Sequence, residues 1–566
     1  MNGHFPFPMK NASMRHPLTL SVLSLSALAL STGSALAASP DAGQLLKDLQ
    51  TVPRQMPAAP SGALTIDEPA LTPVAEGGPQ VTVHQFRLSG VTVFPQAELQ
   101  ALLADGRGRP LSLAGLQALA ARITQHYRQA GYLVARAYLP AQKVSGDAVE
   151  IAVVEGRLDR VTREGGADLG GDALLPLTSL QAGDVLRSDQ LESVLMALRD
   201  LPGVKVSATL RPGQTVGSSE LLVDVASDTT WTGGLDLDNQ GSDSTGAVRA
   251  GARLAWNNPL GVGDQLSLRA QVSENAQHAL MAGYQLPVGR EGGRVGVAVT
   301  AMDYQLGKAF EVLDADGQAS TVSVYWRQPL VRGREATVYA SAQLDNKHLI
   351  DRIHSVGTRT EQHIFTPTFS LQAQWQDGWL GQSASSRASL SAQVGDVRLD
   401  ATSRALDAQG ARTDAGFAKL GLDAQRWQAL APAWTLMLSA RAQTADNNLP
   451  SAEKMTLGGA QGVRAYPEGE ASGDRGWLGT AELAWQWASG WQAVAFADAG
   501  MVQINSHAWE AGVDNRRRLA GAGLGGRWAE GPWSVSVDAA WALDHESVTI
   551  TPERHPRVWA RLAWQF

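Results

Sequence analysis

The chain has no cysteine, so no disulfide holds it together, although a compartment such as the bacterial periplasm would permit one. Its stability must come from packing and strand pairing. Long apolar runs are missing too. Leu18 to Leu30 is the one sustained stretch, and it is shorter than the roughly 20 residues a spanning helix needs. Cations are in deficit: a formal charge of -8 argues against a nucleic-acid binder, whose phosphate contacts favour a basic face. Catalytic signatures are absent as well. The histidines are scattered, with no His-Glu-x-x-His helix, no Gly-x-Ser-x-Gly elbow and no Gly-x-x-x-x-Gly-Lys-Ser/Thr phosphate loop. No enzyme activity, cofactor or metal is therefore expected.

What is present begins as an exported protein does. Lys10 and Arg15 precede the apolar run and Ala35-Leu36-Ala37 follows it, which predicts a signal peptide over 1–37 and a mature chain starting at Ala38. Gln44 to Thr51 carries Leu45, Leu46 and Leu49 on one side, so 38–52 is expected to hold a short amphipathic helix that stops before Pro53. Residues 53–79 then form a linker kept extended by Pro53, Pro57, Pro60, Pro69, Pro73 and Pro79.

Two similar modules follow, over 80–156 and 157–227, each reading strand, helix, helix, strand, strand. In the first, Val81 to Leu88 alternates as a strand, and Leu113, Leu116, Leu119, Ile123 and Tyr127 recur at helical spacing. Tyr132 to Leu139 and Val149 to Glu155 supply further strands. The second has strands over Arg157 to Thr162, Val204 to Leu210 and Glu220 to Val225. Its helix carries Leu191, Val194, Leu195 and Leu198, with Asp189 as expected N-cap and Glu192 three residues on. A small sheet with a free edge is a template on which an extended chain can add as a strand.

From 228 to 566 the pattern changes to period two. Leu266, Leu268, Ala270 and Val272 face opposite to Ser267, Arg269 and Gln271; Trp533, Val535, Val537, Ala539 and Trp541 face opposite to Ser534, Ser536 and Asp538. Asp236 and Asp238 alternate with Leu235 and Leu237 and fit a wet lumen. The final strand sets Val558, Ala560, Leu562, Trp564 and Phe566 against Arg557, Arg561 and Gln565. An exported chain with a long alternating series, 17 Trp and 58 Gly reads as a transmembrane antiparallel β-barrel, which leaves no backbone unpaired in lipid.

The most informative stretch is Leu457-Gly458-Gly459-Ala460-Gln461-Gly462-Val463-Arg464-Ala465-Tyr466, followed by Phe496-Ala497-Asp498-Ala499-Gly500. This pairing of a loop arginine with a strand aspartate resembles the lumen-loop motif and barrel-wall partner of two-partner secretion transporters of the haemolysin type, with Ala465 where that family shows glycine. Gly131-Tyr132-Leu133-Val134-Ala135-Arg136-Ala137-Tyr138-Leu139-Pro140 and Val154-Glu155-Gly156 resemble the family's first polypeptide-transport-associated (POTRA) domain. Asn258 to Asp264 is similar to its first periplasmic turn, and Tyr284 to Pro287 to the end of its next hairpin.

The resemblance implies sixteen strands preceded by two small α/β POTRA domains, a plug helix within the lumen, and an outer-membrane location with the POTRA domains in the periplasm. It implies a loop motif of Val463, Arg464, Ala465 and Tyr466 facing Phe496, Asp498 and Gly500. Gly131, Tyr132, Tyr138, Glu155 and Gly156 fall in the region expected to bind the client, and Phe566 in a signal for membrane insertion. The implied partners are a secreted exoprotein recognised through its amino-terminal secretion domain, outer-membrane lipid, and the barrel assembly machinery during biogenesis. A barrel-assembly insertase and a passive pore are the alternatives; two periplasmic modules and a plug helix favour secretion.

Overall fold

The computed structural model describes residues 40–50, 65–66, 79–143, 148–166, 169–333, 335–509, 512–544 and 555–566. The expected signal peptide lies outside the described residues, as do Thr51, Val52 and the proline-rich stretch apart from Thr65, Ile66 and Pro79.

Sixteen antiparallel strands, from Trp231–Asp238 to Arg557–Gln565, close into a barrel. The first strand pairs with the last from Gly234↔Gln565 to Asp238↔Arg561. Gly233 and Phe566 extend this seam by exchanging backbone hydrogen bonds of 3.0 Å, and the Phe566 ring lies where a Cβ on Gly233 would come within 2.5 Å of it. The terminal aromatic thus sits in the closure itself.

The alternation read from the sequence sorts residues to the two faces. Leu268 and Val272 are exposed on the outer wall, whereas Gln271 is buried inside. At the ends joined by short turns the outer wall carries tryptophans, including the cross-strand stacks Trp231–Trp256 and Trp434–Trp485 with centroids 5.0 and 5.7 Å apart. Such rings are suited to the boundary between lipid and water.

The two modules stand before the barrel. The first has a sheet of Gln85–Ser89, Ala148–Val154 and Arg136–Tyr138, in the order first, third, second along the chain's return, backed by the helix Leu113–Gln129. Ser112 caps that helix by accepting from Gly115 N at 3.2 Å. Two expected strands are shorter than alternation suggested. The Val81 to Leu88 run breaks because the buried Val83 gives its carbonyl to Gly108 N, leaving Val81–Thr82 paired with Pro110–Leu111. Tyr132 to Ala135 is a turn, with Ala135 N bonded to Tyr132 O, so only Arg136–Tyr138 is strand.

In the second module Thr65–Ile66, Val204–Pro212, Ser218–Ser227 and Arg157–Glu164 make a sheet in that order. The linker dipeptide is added in parallel to the edge at Thr209 and Leu210. The helix is Ser188–Arg199, and Arg187 rather than Asp189 stands at its N-cap. Asp189 lies one position inside, where its carboxylate pairs with Arg187 at 2.7 Å and suits the positive end of the helix. This module rests on the barrel's short turns: Gly170 N donates to Gly261 O at 2.8 Å, and Arg332 pairs with Asp200 at 2.7 Å.

Candidate functional site

The lumen is filled from two directions. Between the strands Trp434–Ala445 and Arg475–Ala488 the chain folds inward, and its glycines set the shape. Gly459 has φ +104, and a Cβ on Gly462 would lie 1.9 Å from Leu457 O, so a side chain at Gly462 would break the turn that returns Val463 N to Leu457 O at 2.7 Å. The turn holds Arg464 against the wall. Met455, Leu457, Val463, Ala465 and Tyr466 pack there with Leu478, Val494, Phe496 and Leu519.

Arg464 is 3 % exposed and Asp498 2 %. Their contact is two-pronged: Nε donates to Oδ2 at 2.9 Å and Nη2 to Oδ1 at 3.1 Å, the fork geometry in which guanidinium and carboxylate bind most strongly. Arg464 Nη1 also donates to Glu482 at 3.0 Å and to Asp538 at 3.3 Å. The guanidinium lies 3.3 Å from the centre of the Phe496 ring. Trp559 Nε1 holds the Arg464 carbonyl at 2.7 Å, and Thr480 donates to Asp498 at 2.8 Å. Arg527 supplies Glu482 with a second cation.

Sequence reasoning placed Arg464 opposite Asp498 and missed Glu482, Asp538 and Trp559. All three lie on lumen-facing positions of their strands, so parity made them eligible, but parity does not say which strands stand opposite the loop. Tyr466 is buried and donates to Asp544.

Ala465 has its own compensation. A Cβ built on Gly521 would come 2.7 Å from the Ala465 methyl, so the facing strand leaves the room that the loop side chain fills. Gly521→Ala should therefore overpack the loop seat, at about 1–3 kcal/mol, and lower secretion. Adding Ala465→Gly should restore it. Equal secretion by Gly521→Ala and the parent would show that this contact does not position the loop.

From the other direction comes the helix Ala42–Gln50. Asp41 accepts from Gln44 N at 2.9 Å at its start. Leu45, Leu46 and Leu49 are 1–4 % exposed and pack with Tyr304, Leu349, Ile364, Val397 and Phe417, residues from strands around the wall. Contacts on so many strands place the helix inside the barrel. Ala42 N donates to Asp351 at 2.8 Å, and Gly43 lies so close to the turn Ser451–Glu453 that a Cβ would be 2.3 Å from Ser451 Oγ. That turn is itself pinned, because Glu453 binds Lys347 at 2.5 Å and Lys419 at 2.6 Å. Helix and arginine loop thus share one inward-folded segment.

Of the residues expected to bind client, Gly131, Tyr132, Glu155 and Gly156 are gathered at the joint between the two modules. Gly131 O accepts from Ser188 N at 2.8 Å, and Gly156 O from Leu186 N at 2.9 Å. Tyr132 packs edge-on with Phe94 and Tyr127. Glu155 is 4 % exposed; burial raises its carboxyl pKa, yet hydrogen bonds from Thr92, Val93 N at 2.8 Å and Tyr127 at 2.9 Å outweigh that and hold it below the usual range. Tyr138 alone of the five is exposed, on the strand Arg136–Tyr138. Leu116 and Ile123 face the core of the first module.

Residues 217–528, more than half of the chain, match the family described as Haemolysin secretion/activation protein ShlB/FhaC/HecB; residues 81–156 match POTRA domain, ShlB-type. The chain is 27 % identical over 534 residues to the heme/hemopexin transporter protein HuxB of Haemophilus influenzae, covering 89 % of this chain and 92 % of that one. It is 28 % identical over 493 residues to the outer membrane transporter CdiB of Escherichia coli O6:K15:H31, covering 82 % and 79 %. The solved structure of CdiB from Escherichia coli has a similar fold, with a TM-score of 0.69 at 24 % identity over 88 % of this chain and 93 % of that one.

Proposed function

Because the chain belongs to the haemolysin secretion/activation family, and so is an outer-membrane transporter that secretes a partner exoprotein, we propose a route for that export through the elements described above. The exoprotein is captured unfolded, by its amino-terminal secretion domain, on the periplasmic modules. It enters the lumen as the helix Ala42–Gln50 withdraws, and folding at the surface draws it outward without nucleotide hydrolysis. Membership in the family sets aside the insertase and passive-pore readings. Phe566, in the barrel seam, is proposed to be read by the barrel assembly machinery before the belt meets lipid.

The observation that carries the route is the lumen itself. A buried arginine loop and a helix fill it, each held by contacts that can break without unfolding a strand. An open pore has no need of either.

Capture is proposed to occur by strand addition on the module sheets. The second module already receives a strand in this way, because Thr65–Ile66 pairs in parallel along Val204–Pro212 at Thr209 and Leu210. The first offers Arg136–Tyr138, although the Ala137 N–H is already taken by Thr124 at 2.9 Å. Ile66→Pro should release the linker from its edge and tighten binding of the purified secretion domain severalfold. Tyr138→Ala should weaken it by a similar factor, removing the exposed aromatic of the strand Arg136–Tyr138. Parental affinity in both variants would place capture in the lumen.

A further inference from the structure

The strands Ala336–Ile353 and Thr358–Asp377 are among the longest of the barrel. Lys347, Leu349 and Ile364 are buried inside, so His348, Glu361 and His363, of opposite parity, lie on the outer wall. Below them that wall is apolar, through Leu344, Phe365, Phe369 and Leu371, all exposed. His363 is two residues beyond Phe365 toward the end away from the periplasmic modules, a rise of about 7 Å. The three polar side chains therefore stand just outside the lipid belt on the cell-surface side.

We propose that His348, His363 and Glu361 form a binding site for a divalent transition-metal ion of the zinc class. The two histidines are direct cross-strand partners, and their rings stack with centroids 4.2 Å apart and planes 4° from parallel. Both turn Nε2 toward one carboxylate oxygen: Glu361 Oε1 is 2.9 Å from His348 Nε2 and 3.6 Å from His363 Nε2. One ligand atom from each of the three residues falls within 4.8 Å of the others. Zinc held tetrahedrally with bonds near 2.1 Å needs its ligand atoms about 3.3 Å apart, and the two nitrogen–oxygen separations bracket that value.

The surroundings suit the task. Arg359 donates to the other oxygen of Glu361 at 2.6 Å, which fixes the carboxylate while leaving Oε1 to the ion, as outer partners of metal ligands do. Arg398, across the ladder from His363, is paired with Asp396 at 2.8 Å, so its charge is offset. Glu361 N is anchored further by donating to Ser403 Oγ at 3.0 Å. Two imidazoles and a carboxylate are a borderline-soft set that prefers zinc to calcium or magnesium. With three protein ligands, one position stays open to solvent. No ligating motif is legible along the chain, because the histidines meet only through antiparallel register.

The test is calorimetric titration of zinc chloride into the full transporter in detergent, stripped with chelator and carrying no polyhistidine tag. One saturable ion per chain is expected, with affinity falling at least tenfold in His363→Ala and in Glu361→Gln. Cobalt(II) should give visible absorption of the tetrahedral kind that both substitutions abolish. These side chains lie on the outer wall, so the variants should keep the heat-resistant electrophoretic mobility of a closed barrel. Absence of saturable zinc binding would overturn the proposal, as would binding that both folded variants retain unchanged.

Discussion

Arg464→Ala is expected to abolish secretion of the partner exoprotein while leaving a barrel of normal abundance in the outer membrane. The guanidinium is the group on which Asp498, Glu482 and Asp538 converge. Without it, Asp498 and Asp538 lose the cation that they share, while Glu482 keeps its pair with Arg527. Breaking a buried pair by removing one partner costs about 3–5 kcal/mol, enough to depopulate the seated loop by about two to nearly four orders of magnitude. The barrel strands do not depend on that contact, since their ladder runs uninterrupted through Thr480↔Asp498 and Asp498↔Gly521. Arg464→Lys should secrete at an intermediate level, because an ammonium keeps the charge but cannot supply the two-pronged contact. Exoprotein in the medium, normalised to heat-modifiable barrel, is the measurement. Parental secretion by Arg464→Ala would mean that the seated loop is not required for export.

Deleting residues 38–52 should raise single-channel conductance in planar bilayers several-fold without stopping export. The helix fills the lumen with leucines that pack on the wall, and the deletion leaves the strands and the Arg464 contacts untouched. Conductance of the intact protein should also depend on pH. Burial of Asp48 in the docked helix pushes its pKa up to about 7, partly opposed by Arg249 and Lys47 and reinforced by Asp41. Facing it, Glu468 is pushed up to about 8 by burial and by Asp48, with Arg249 opposing. A carboxyl whose docked pKa is raised favours docking while protonated, so docking weakens as pH climbs from about 4, the free value, to about 7. One titrating proton allows at most about a tenfold change in the docking constant per pH unit. The carboxyls alone make open events more frequent over that window, whereas burial of Lys47, which holds its ammonium pKa well below the usual value, acts in the opposite sense; Asp48→Asn should remove the Asp48 share of the rise. Unchanged conductance after the deletion would remove the helix from any gating role.

What the chain disclosed in advance follows from what alternation can say. Period two assigned faces along the strands, so the wet position of Asp538 and the outer position of Trp541 were legible. Which residues would meet was not. Asp498 was found because the loop pattern names it, but Glu482 and Asp538 join Arg464 through the order of strands around the barrel. Glu453 is tied to Lys347 and Lys419 across long separations for the same reason. In the first module, Val83 and Tyr132 to Ala135 alternated well enough to pass for strand, yet local backbone bonds took them out of the ladder. The phrase around Gly131 and Glu155, expected to bind client, was visible as a phrase, but its place at the joint between modules depends on packing that spacing does not report.

The central claim is that the exoprotein crosses through the lumen, and the absence of cysteine makes it directly testable. Gln343 has the inward parity of Asp345 and Lys347, whereas its neighbour Leu344 is exposed on the lipid face. A single cysteine at each position can be tried against an exoprotein carrying one cysteine and stalled during export. A disulfide between Gln343→Cys and the client is expected, lost when export is blocked by Arg464→Ala, and none from Leu344→Cys. Secretion that continues with no cross-link from the lumen, or with equal cross-links from both faces, would contradict it.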